Sequence, residues 1–291
     1  MTSRVVVVGD VMLDVVVRPL TAVAPTSDTP SRIRVGRGGS AASLAVSLAR
    51  SGHEVRFVGA AGRDGPAGIV RAALERGGVR VEIEEVSSTT GTVVAMVAED
   101  GQRAMLTDRG ANSSLSEAFV LQSLASSFDH LHVSGYLLLD SSTRAVARAA
   151  LDQARERGST TSIDVCSVAP LTALTPQVFL QAADGATYLF ANEEEALTLS
   201  AAQDVTGALD YLVSRFEEVV VTRGDQGALA SRGDLRAEVA ALDAVAVDTT
   251  GAGDAATGAY LGARLRHETI EVALEAAMAA GARAVEELGA N

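Results

Sequence analysis

Asp248-Thr249-Thr250-Gly251-Ala252-Gly253-Asp254, running on into Ala255-Ala256-Thr257-Gly258-Ala259-Tyr260-Leu261, is the stretch on which the reading of this chain turns. Its residues are small, so the backbone is free to approach a ligand closely, and a helix is expected to begin at about Gly253. A glycine-rich turn that feeds a helix N-terminus aims several N–H groups at one spot and adds the positive end of the helix dipole. That arrangement can stabilise anionic oxygens without any lysine. Asp254, in the first turn, is placed to take a proton from a hydroxyl held beside them. The plainer alternative is that Asp254 caps the helix, since acidic residues are common there.

Outward from this stretch, short β-branched runs alternate with Ala/Leu/Arg-rich amphipathic segments. Residues 5–8, 55–58, 130–133, 160–163, 187–190 and 219–222 read as buried strands, and 40–50, 67–75, 142–157 and 271–288 as helices. That alternation predicts a three-layer α/β/α fold with a mostly parallel central sheet, spanning residues 1–291 as one domain. Two regions break the rhythm, at about 15–35 and 81–106. They are strand-like, punctuated by turn residues, and hold no helix. We expect them to form a small β-rich lid that keeps water from the site.

Composition removes several classes. All 24 basic Lys+Arg residues among the 291 are arginine. A Walker-A loop, a eukaryotic-type protein kinase and a Schiff-base enzyme each need a lysine. The net charge of −13 and the 3% aromatic content disfavour a nucleic-acid partner. One cysteine, Cys166, allows no internal disulfide. No run approaches the length of a membrane helix and no signal peptide is visible, so no membrane association and a cytoplasmic location are expected. His130 and His132 share one side of a strand but have no third ligand nearby, which argues for a structural rather than a metal-binding role.

With these residues in view, Asp-Thr-Thr-Gly-Ala-Gly-Asp resembles the C-terminal signature of the ribokinase/PfkB family of carbohydrate kinases. Other segments resemble the family in order and spacing: Gly9-Asp10-Val11-Met12-Leu13-Asp14, Gly38-Gly39-Ser40-Ala41-Ala42, Gly59-Ala60-Ala61-Gly62-Arg63-Asp64-Gly65, Gly110-Ala111-Asn112, Asn192-Glu193-Glu194-Glu195, and Val221-Thr222-Arg223-Gly224-Asp225-Gln226-Gly227. The resemblance covers essentially the whole chain. It implies a ribokinase-like fold and an ATP-dependent kinase that phosphorylates a hydroxyl of a sugar or a sugar-containing small molecule, a nucleoside among the alternatives. It implies Asp254 as the catalytic base with Gly251, Ala252 and Gly253 as the anion hole. Asp14, Gly38, Gly39 and Ser43 would bind the acceptor, and Asn192, Thr222, Gly224 and Gly227 would bind ATP. Glu195 and Asn192 would hold Mg²⁺ mainly through water, and Asp248 with Thr250 would contribute to a K⁺ site. A homodimer through the lid is a further implication.

Three departures from the family pattern bear on these roles. Ser43 stands where relatives carry Asn, and Asp164-Val165-Cys166 where they often show Asp-x-Asn. Leu288-Gly289-Ala290-Asn291 stands where relatives continue into a tail that helps bind the monovalent cation, so potassium is expected to stimulate less. Two other classes fit the chain less well. A Rossmann oxidoreductase or methyltransferase needs a glycine fingerprint after the first strand, where this chain has Gly9-Asp10-Val11-Met12-Leu13-Asp14. A catalytically silent sugar-binding relative would have lost part of the set Asp254, Gly251, Gly253, Asn192 and Glu195, all of which are present.

Overall fold

The computed structural model describes residues 2–97, 103–245 and 249–286. Its strands are β1 (Arg4–Val8), β2 (Met12–Pro19), β3 (Ser31–Gly38), β4 (Glu54–Gly62), β5 (Arg80–Val86), β6 (Thr92–Val97), β7 (Arg103–Asp108), β8 (His130–Val133), β9 (Thr160–Asp164), β10 (Tyr188–Asn192), β11 (Glu218–Thr222), β12 (Ala228–Arg232) and β13 (Leu235–Val239). Nine of them form one sheet in the order β13-β12-β11-β10-β9-β8-β1-β4-β5, and the other four form a second sheet in the order β3-β2-β6-β7. The large sheet is parallel from β5 to β11, and the β11–β12 and β12–β13 pairs at its edge are antiparallel.

A parallel sheet covered by helices is buried on both faces, so its strands are apolar throughout rather than alternating. β1 shows this directly. Val6 and Val8 belong to one hydrophobic cluster, and Val5 and Val7 to a separate cluster on the opposite face. Beyond β1 the chain builds outward through β4 and β5, then returns to place β8 on the other side of β1 and continues to β11. The order therefore reverses between β1 and β8, and at such a switch point the strand ends leave a crevice.

The small sheet is the lid expected at 15–35, and β6 and β7 supply its second half. Residues 81–86, assigned to the lid from sequence, instead lie in β5, paired in parallel with β4. Turn residues follow β5 at Ser87 and Ser88, so the excursion out of the large sheet starts six residues later than the hydrophobic pattern alone implied.

Register gives the small sheet two distinct faces. Asp14 pairs with Val93, and Val93 with Thr107, so these three stand in one row facing the large sheet. Val35, Val15, Val94 and Leu106 form the neighbouring row on the outer face, where Val35 and Leu106 are exposed. Two helices meet beneath the lid, Ser40–Arg50 and Ala252–Leu265. Gly258 lets them approach: a Cβ there would overlap the Ser47 side chain, whose hydroxyl donates to the Ala255 carbonyl at 2.9 Å. Among the described residues no helix is long and apolar enough to cross a membrane.

Candidate active site

A cavity of about 620 Å³ opens between the small sheet and the carboxyl ends of the parallel strands. Of the residues singled out from sequence, it gathers Asp14, Gly39, Ser43, Asn192, Glu195, Thr222, Thr250, Gly253 and Asp254 into its lining. Gly251 and Thr250 line a smaller adjoining pocket of about 190 Å³ together with Ser43 and Arg37. Gly38 underlies the Asp14 carboxylate, where a Cβ would collide with it. Ala252 is the first residue of its helix and does not reach the cavity wall. Gly224 and Gly227 shape the turn after β11, closed by the Arg223 amide donating to the Gly227 carbonyl at 2.7 Å, and are not among the lining residues. Asp248, expected beside Thr250, lies outside the described residues.

The helix start is built as its small residues require. Gly251 is the N-cap, at φ 77°, in the left-handed region that a side chain would strain. Ala252, Gly253 and Asp254 then carry first-turn amides that have no carbonyl four residues earlier in the helix. A Cβ on Gly253 would meet nothing within 4 Å, because it would project into open space. The carboxylate of Asp254 does not turn back onto its own helix. It lies 2.7 Å from Ser40 Oγ, at the start of the other helix, and Ser40 Oγ lies 2.8 Å from Asp164 Oδ2.

This triangle has a chemical consequence. Ser40 has one hydroxyl proton for two carboxyl groups, so both short contacts persist only if a proton sits on one of the acids. The surroundings decide which. Burial raises both, but the Asp164 carboxyl ends at about 2, because His132, the Gly135 amide and the Cys166 thiol all favour its ionised form. The Asp254 carboxyl is driven well above the ordinary carboxylate range by burial and by the charges of Asp164 and Asp10, with Ser40 and Arg37 opposing. With the proton on Asp254, its carboxyl O–H donates to Ser40 and the Ser40 hydroxyl donates to Asp164. Two neighbouring acids pushed apart in this way mark an acid–base pair.

Much of the support was not legible in advance. Asp10 accepts from the Ser40 amide at 3.0 Å and from the Ser134 hydroxyl at 3.0 Å, tying the switch point to the helix start. Asp164 accepts from the Gly135 amide at 2.9 Å, and His132 Nε2 stands 3.4 Å away. Cys166 is held at φ 73° with its thiol donating to Asp164 at 3.1 Å, and burial pushes that thiol well above its usual range, so it is not a thiolate nucleophile. Ser43 accepts from Arg37 Nη1 at 2.9 Å. Arg37 is buried, which lowers it to about 10, still charged near neutrality, while Asp254 and Asp14 pull it upward. Its place directly before the glycine pair was the available signal.

Asn192 and Glu195 form a reciprocal capping box: the Glu195 amide donates to Asn192 Oδ1 and the Asn192 amide to Glu195 Oε2, both at 2.8 Å. The helix-cap reading is thus physically present, yet both residues also line the cavity. Burial raises the Glu195 carboxyl to about 7. Among the described residues no three His, Cys, Asp or Glu side chains converge as a metal cage. With one oxygen of each side chain engaged in the cap, the pair fits a hydrated cation on a nucleotide rather than direct chelation.

A three-layer fold with its cavity between the large sheet and a small covering sheet is the architecture of the ribokinase-like kinases. The adenosine kinase of Sinorhizobium meliloti shares it over 100% of this chain and 96% of its own, with a TM-score of 0.90 at 22% identity. The model of the pfkB family of carbohydrate kinases matches residues 2–291, and the chain belongs to that family. It is 31% identical over 286 residues to an ATP-dependent ribose-1-phosphate kinase of Halopiger xanaduensis, covering 96% of this chain and 90% of that one. It is 28% identical to the ribokinase of Bacillus subtilis, covering 87% and 83%. The protein is an ATP-dependent kinase that acts on a hydroxyl of a sugar or sugar-containing small molecule.

Proposed function

We propose that Asp254 takes the proton from the acceptor hydroxyl as its oxygen attacks the γ-phosphorus of ATP and the bond to the β-phosphate oxygen breaks, releasing ADP. The observation that carries this reading is the Asp254–Ser40–Asp164 triangle at the start of a helix. It places a raised carboxyl beside a helix start whose first-turn amides have no carbonyl within their own helix. Once ionised, that carboxyl is a stronger base than an exposed aspartate. The amides of Gly253 and Asp254 and the dipole of their helix, with Gly251 and Ala252 shaping the turn before them, face the charge that spreads over the transferring oxygens.

Asp14 grips acceptor hydroxyls from the small sheet, with Gly38, Gly39 and Ser43 shaping that wall. Thr222 and Asn192 line the nucleotide side, and Gly224 and Gly227 shape the turn after β11 that ATP would meet beyond it. Mg²⁺ bound with ATP would neutralise phosphate charge, and Asn192 and Glu195 would orient its water ligands. A potassium contribution rests on Thr250 alone among the described residues. The acceptor side of the cavity is lined by Met12, Asp14, Val93, Met105 and Thr107, and Tyr136 also lines the cavity beneath Arg109, so both sugar and nucleoside acceptors stay within the reading. The acidic chain supports a small-molecule acceptor in the cytoplasm rather than a nucleic-acid or membrane partner. The apolar outer rows of the small sheet support a homodimer formed by that face. ADP formation across a panel of sugars and nucleosides, with the Asp254→Asn variant alongside, tests the assignment. Turnover by that variant at the wild-type rate would remove Asp254 from the reaction.

A further inference from the structure

Six carboxylates line the main cavity, and three of them, Asp10, Asp164 and Asp254, converge on Ser40. Like charges crowded together favour protonated acids, and a protonated Asp254 cannot serve as a base. The chain has no lysine to offset them. Arg37 is the cation set behind this group. It comes directly before Gly38 on β3, and since Gly38 underlies the Asp14 carboxylate, Arg37 leaves the strand on the opposite side.

Arg37 is only 6% exposed. Its Nη1 donates at 2.9 Å to Ser43 Oγ, near the start of the helix Ser40–Arg50. Ser43 is shared by the main cavity and the adjoining pocket of about 190 Å³. Arg37 lines that pocket with Gly251 and Ala255, which cap the second helix and follow Asp254 within it. The positive charge is thereby held behind the turn that carries the base. Burial lowers the Arg37 guanidinium to about 10, with Asp254 and Asp14 pulling it upward and Arg50 downward, so it stays charged through neutral pH. The attraction is mutual. Burial, Asp164 and Asp10 hold the proton on Asp254, whereas Ser40 and Arg37 favour its ionised form. The other groups nearby do not replace this charge. Arg50 and Arg283 line the same pocket but are exposed, where salt screens them. His132 faces Asp164 rather than Asp254, and burial keeps the Tyr136 hydroxyl and the Cys166 thiol neutral.

We propose that Arg37 is a positioning residue for the transfer, the fixed cation that lets Asp254 give up its proton near neutral pH and so act as the base. This rests on the reading of Asp254 given above and adds the group that poises it. Ser43, which stands where relatives carry Asn, supplies the acceptor that anchors the guanidinium. An uncharged residue at position 37 leaves the buried acids without that compensation, so Asp254 holds its proton to higher pH. The base works only when ionised, so the acid limb of the rate moves upward with it.

The test follows Asp254 by two readouts on the full-length protein across the acid limb. The first is ADP release with the acceptor drawn from the panel above, at saturating Mg²⁺ so that Glu195, which titrates at about 7, does not enter. The second is a carbon-13 NMR titration of the Asp254 carboxyl, assigned by its loss in Asp254→Asn, which needs no turnover. Arg37→Gln can keep a hydrogen bond to Ser43 but not the charge. Both midpoints should move up by about one pH unit, the scale of losing a nearby opposite charge, or about tenfold in rate on the acid limb. Arg37→Met repeats the neutral arm without the hydrogen bond. Arg37→Lys keeps the charge and should hold both midpoints near the wild type, and melting curves establish that the variants are folded. A carboxyl midpoint unmoved in both neutral variants, with the rate lowered equally at every pH, is the mark of a structural role alone and overturns the proposal. So does a midpoint that moves as far in Arg37→Lys as in Arg37→Gln. A carboxyl midpoint that moves while the rate profile does not would count against Asp254 as the base and leave its coupling to Arg37 standing.

Discussion

Asp254→Asn separates the catalytic reading from the capping one more sharply than any other change, because the resting site already resembles the variant. With a proton on Asp254, the wild-type carboxyl donates to Ser40 Oγ across 2.7 Å while Ser40 donates to Asp164 across 2.8 Å. An asparagine Nδ2–H makes the same donation, so the triangle survives with neither a new charge nor a lost contact. Stability should therefore change by less than about 1 kcal/mol, the scale of one conserved hydrogen bond, and ATP-analogue binding should hold. What disappears is the ability to accept the acceptor's proton. General-base removal costs about 10²–10⁴-fold in kcat, or about 3–5 kcal/mol in the barrier. The assay is steady-state ADP release from pH 5.5 to 9 with melting curves on both proteins. The wild-type rate should fall as pH drops through a pKa above the ordinary aspartate range, because the protonated acid cannot act as a base. The variant should lose that limb along with its activity. An asparagine variant within threefold of wild type, with the acid limb unchanged, would refute the reasoning.

Asp14→Ala should raise the acceptor KM by about 5–150-fold with the ATP KM little changed, the effect of about 1–3 kcal/mol from a lost buried hydrogen bond. Gly38→Ala should reproduce it, since the added methyl overlaps the Asp14 carboxylate. An effect on ATP alone in either variant would misplace this wall. Glu195 titrates at about 7, so its charge is lost as pH falls through that value. The Mg²⁺ concentration giving half-maximal rate should rise below pH 7 in the wild type and become pH-independent in Glu195→Gln, and excess EDTA should abolish turnover. Glu218 accepts from Tyr260 at 2.7 Å and from Arg264 at 2.8 and 2.9 Å while almost fully buried. Glu218→Leu strands the guanidinium and should cost about 3–5 kcal/mol of stability in urea unfolding, whereas an unchanged midpoint would show the pair to be dispensable. If the outer face of the small sheet pairs two copies, the wild type should sediment as a dimer and Ile33→Asp combined with Leu106→Asp as a monomer, and a wild type that sediments only as a monomer would refute the pairing.

The parallel core was legible because a strand buried on both faces writes itself as a continuous apolar run, as in Val5-Val6-Val7-Val8. The helix start, expected at about Gly253 and found at Ala252 behind a Gly251 cap, was legible because a glycine-rich turn of small residues precedes it. The assignment of β5 to the lid failed for a physical reason. Its half-buried edge position leaves Glu82, Glu84 and Glu85 among its valines, which imitates the solvent-facing alternation of a lid strand. The β12–β13 edge went unread because Ser231-Arg232-Gly233-Asp234 reads as loop chemistry, although Ser231 is buried in the sheet. In the site, Asp10, Ser40, Asp164 and Arg37 were hidden for another reason. Each acts through a partner 6 to 214 residues away, and no local spacing reveals a triangle that only the switch point and two helix starts bring together.

The small sheet has one more consequence, for how such a protein can change over generations. On β7 and just beyond it, odd-numbered positions (Met105, Thr107, Arg109) look into the cavity, and even-numbered ones (Ala104, Leu106) look away. On β2 the parity is reversed, with Met12 and Asp14 inward and Val15 and Val17 outward. Point substitutions can therefore retune ligand choice and the outer surface independently, as two alphabets interleaved on the same strands. Insertions cannot. One residue added within β7 would exchange Leu106 for Thr107 across the sheet and send both properties wrong together, so divergence in this segment is confined to replacement at constant length.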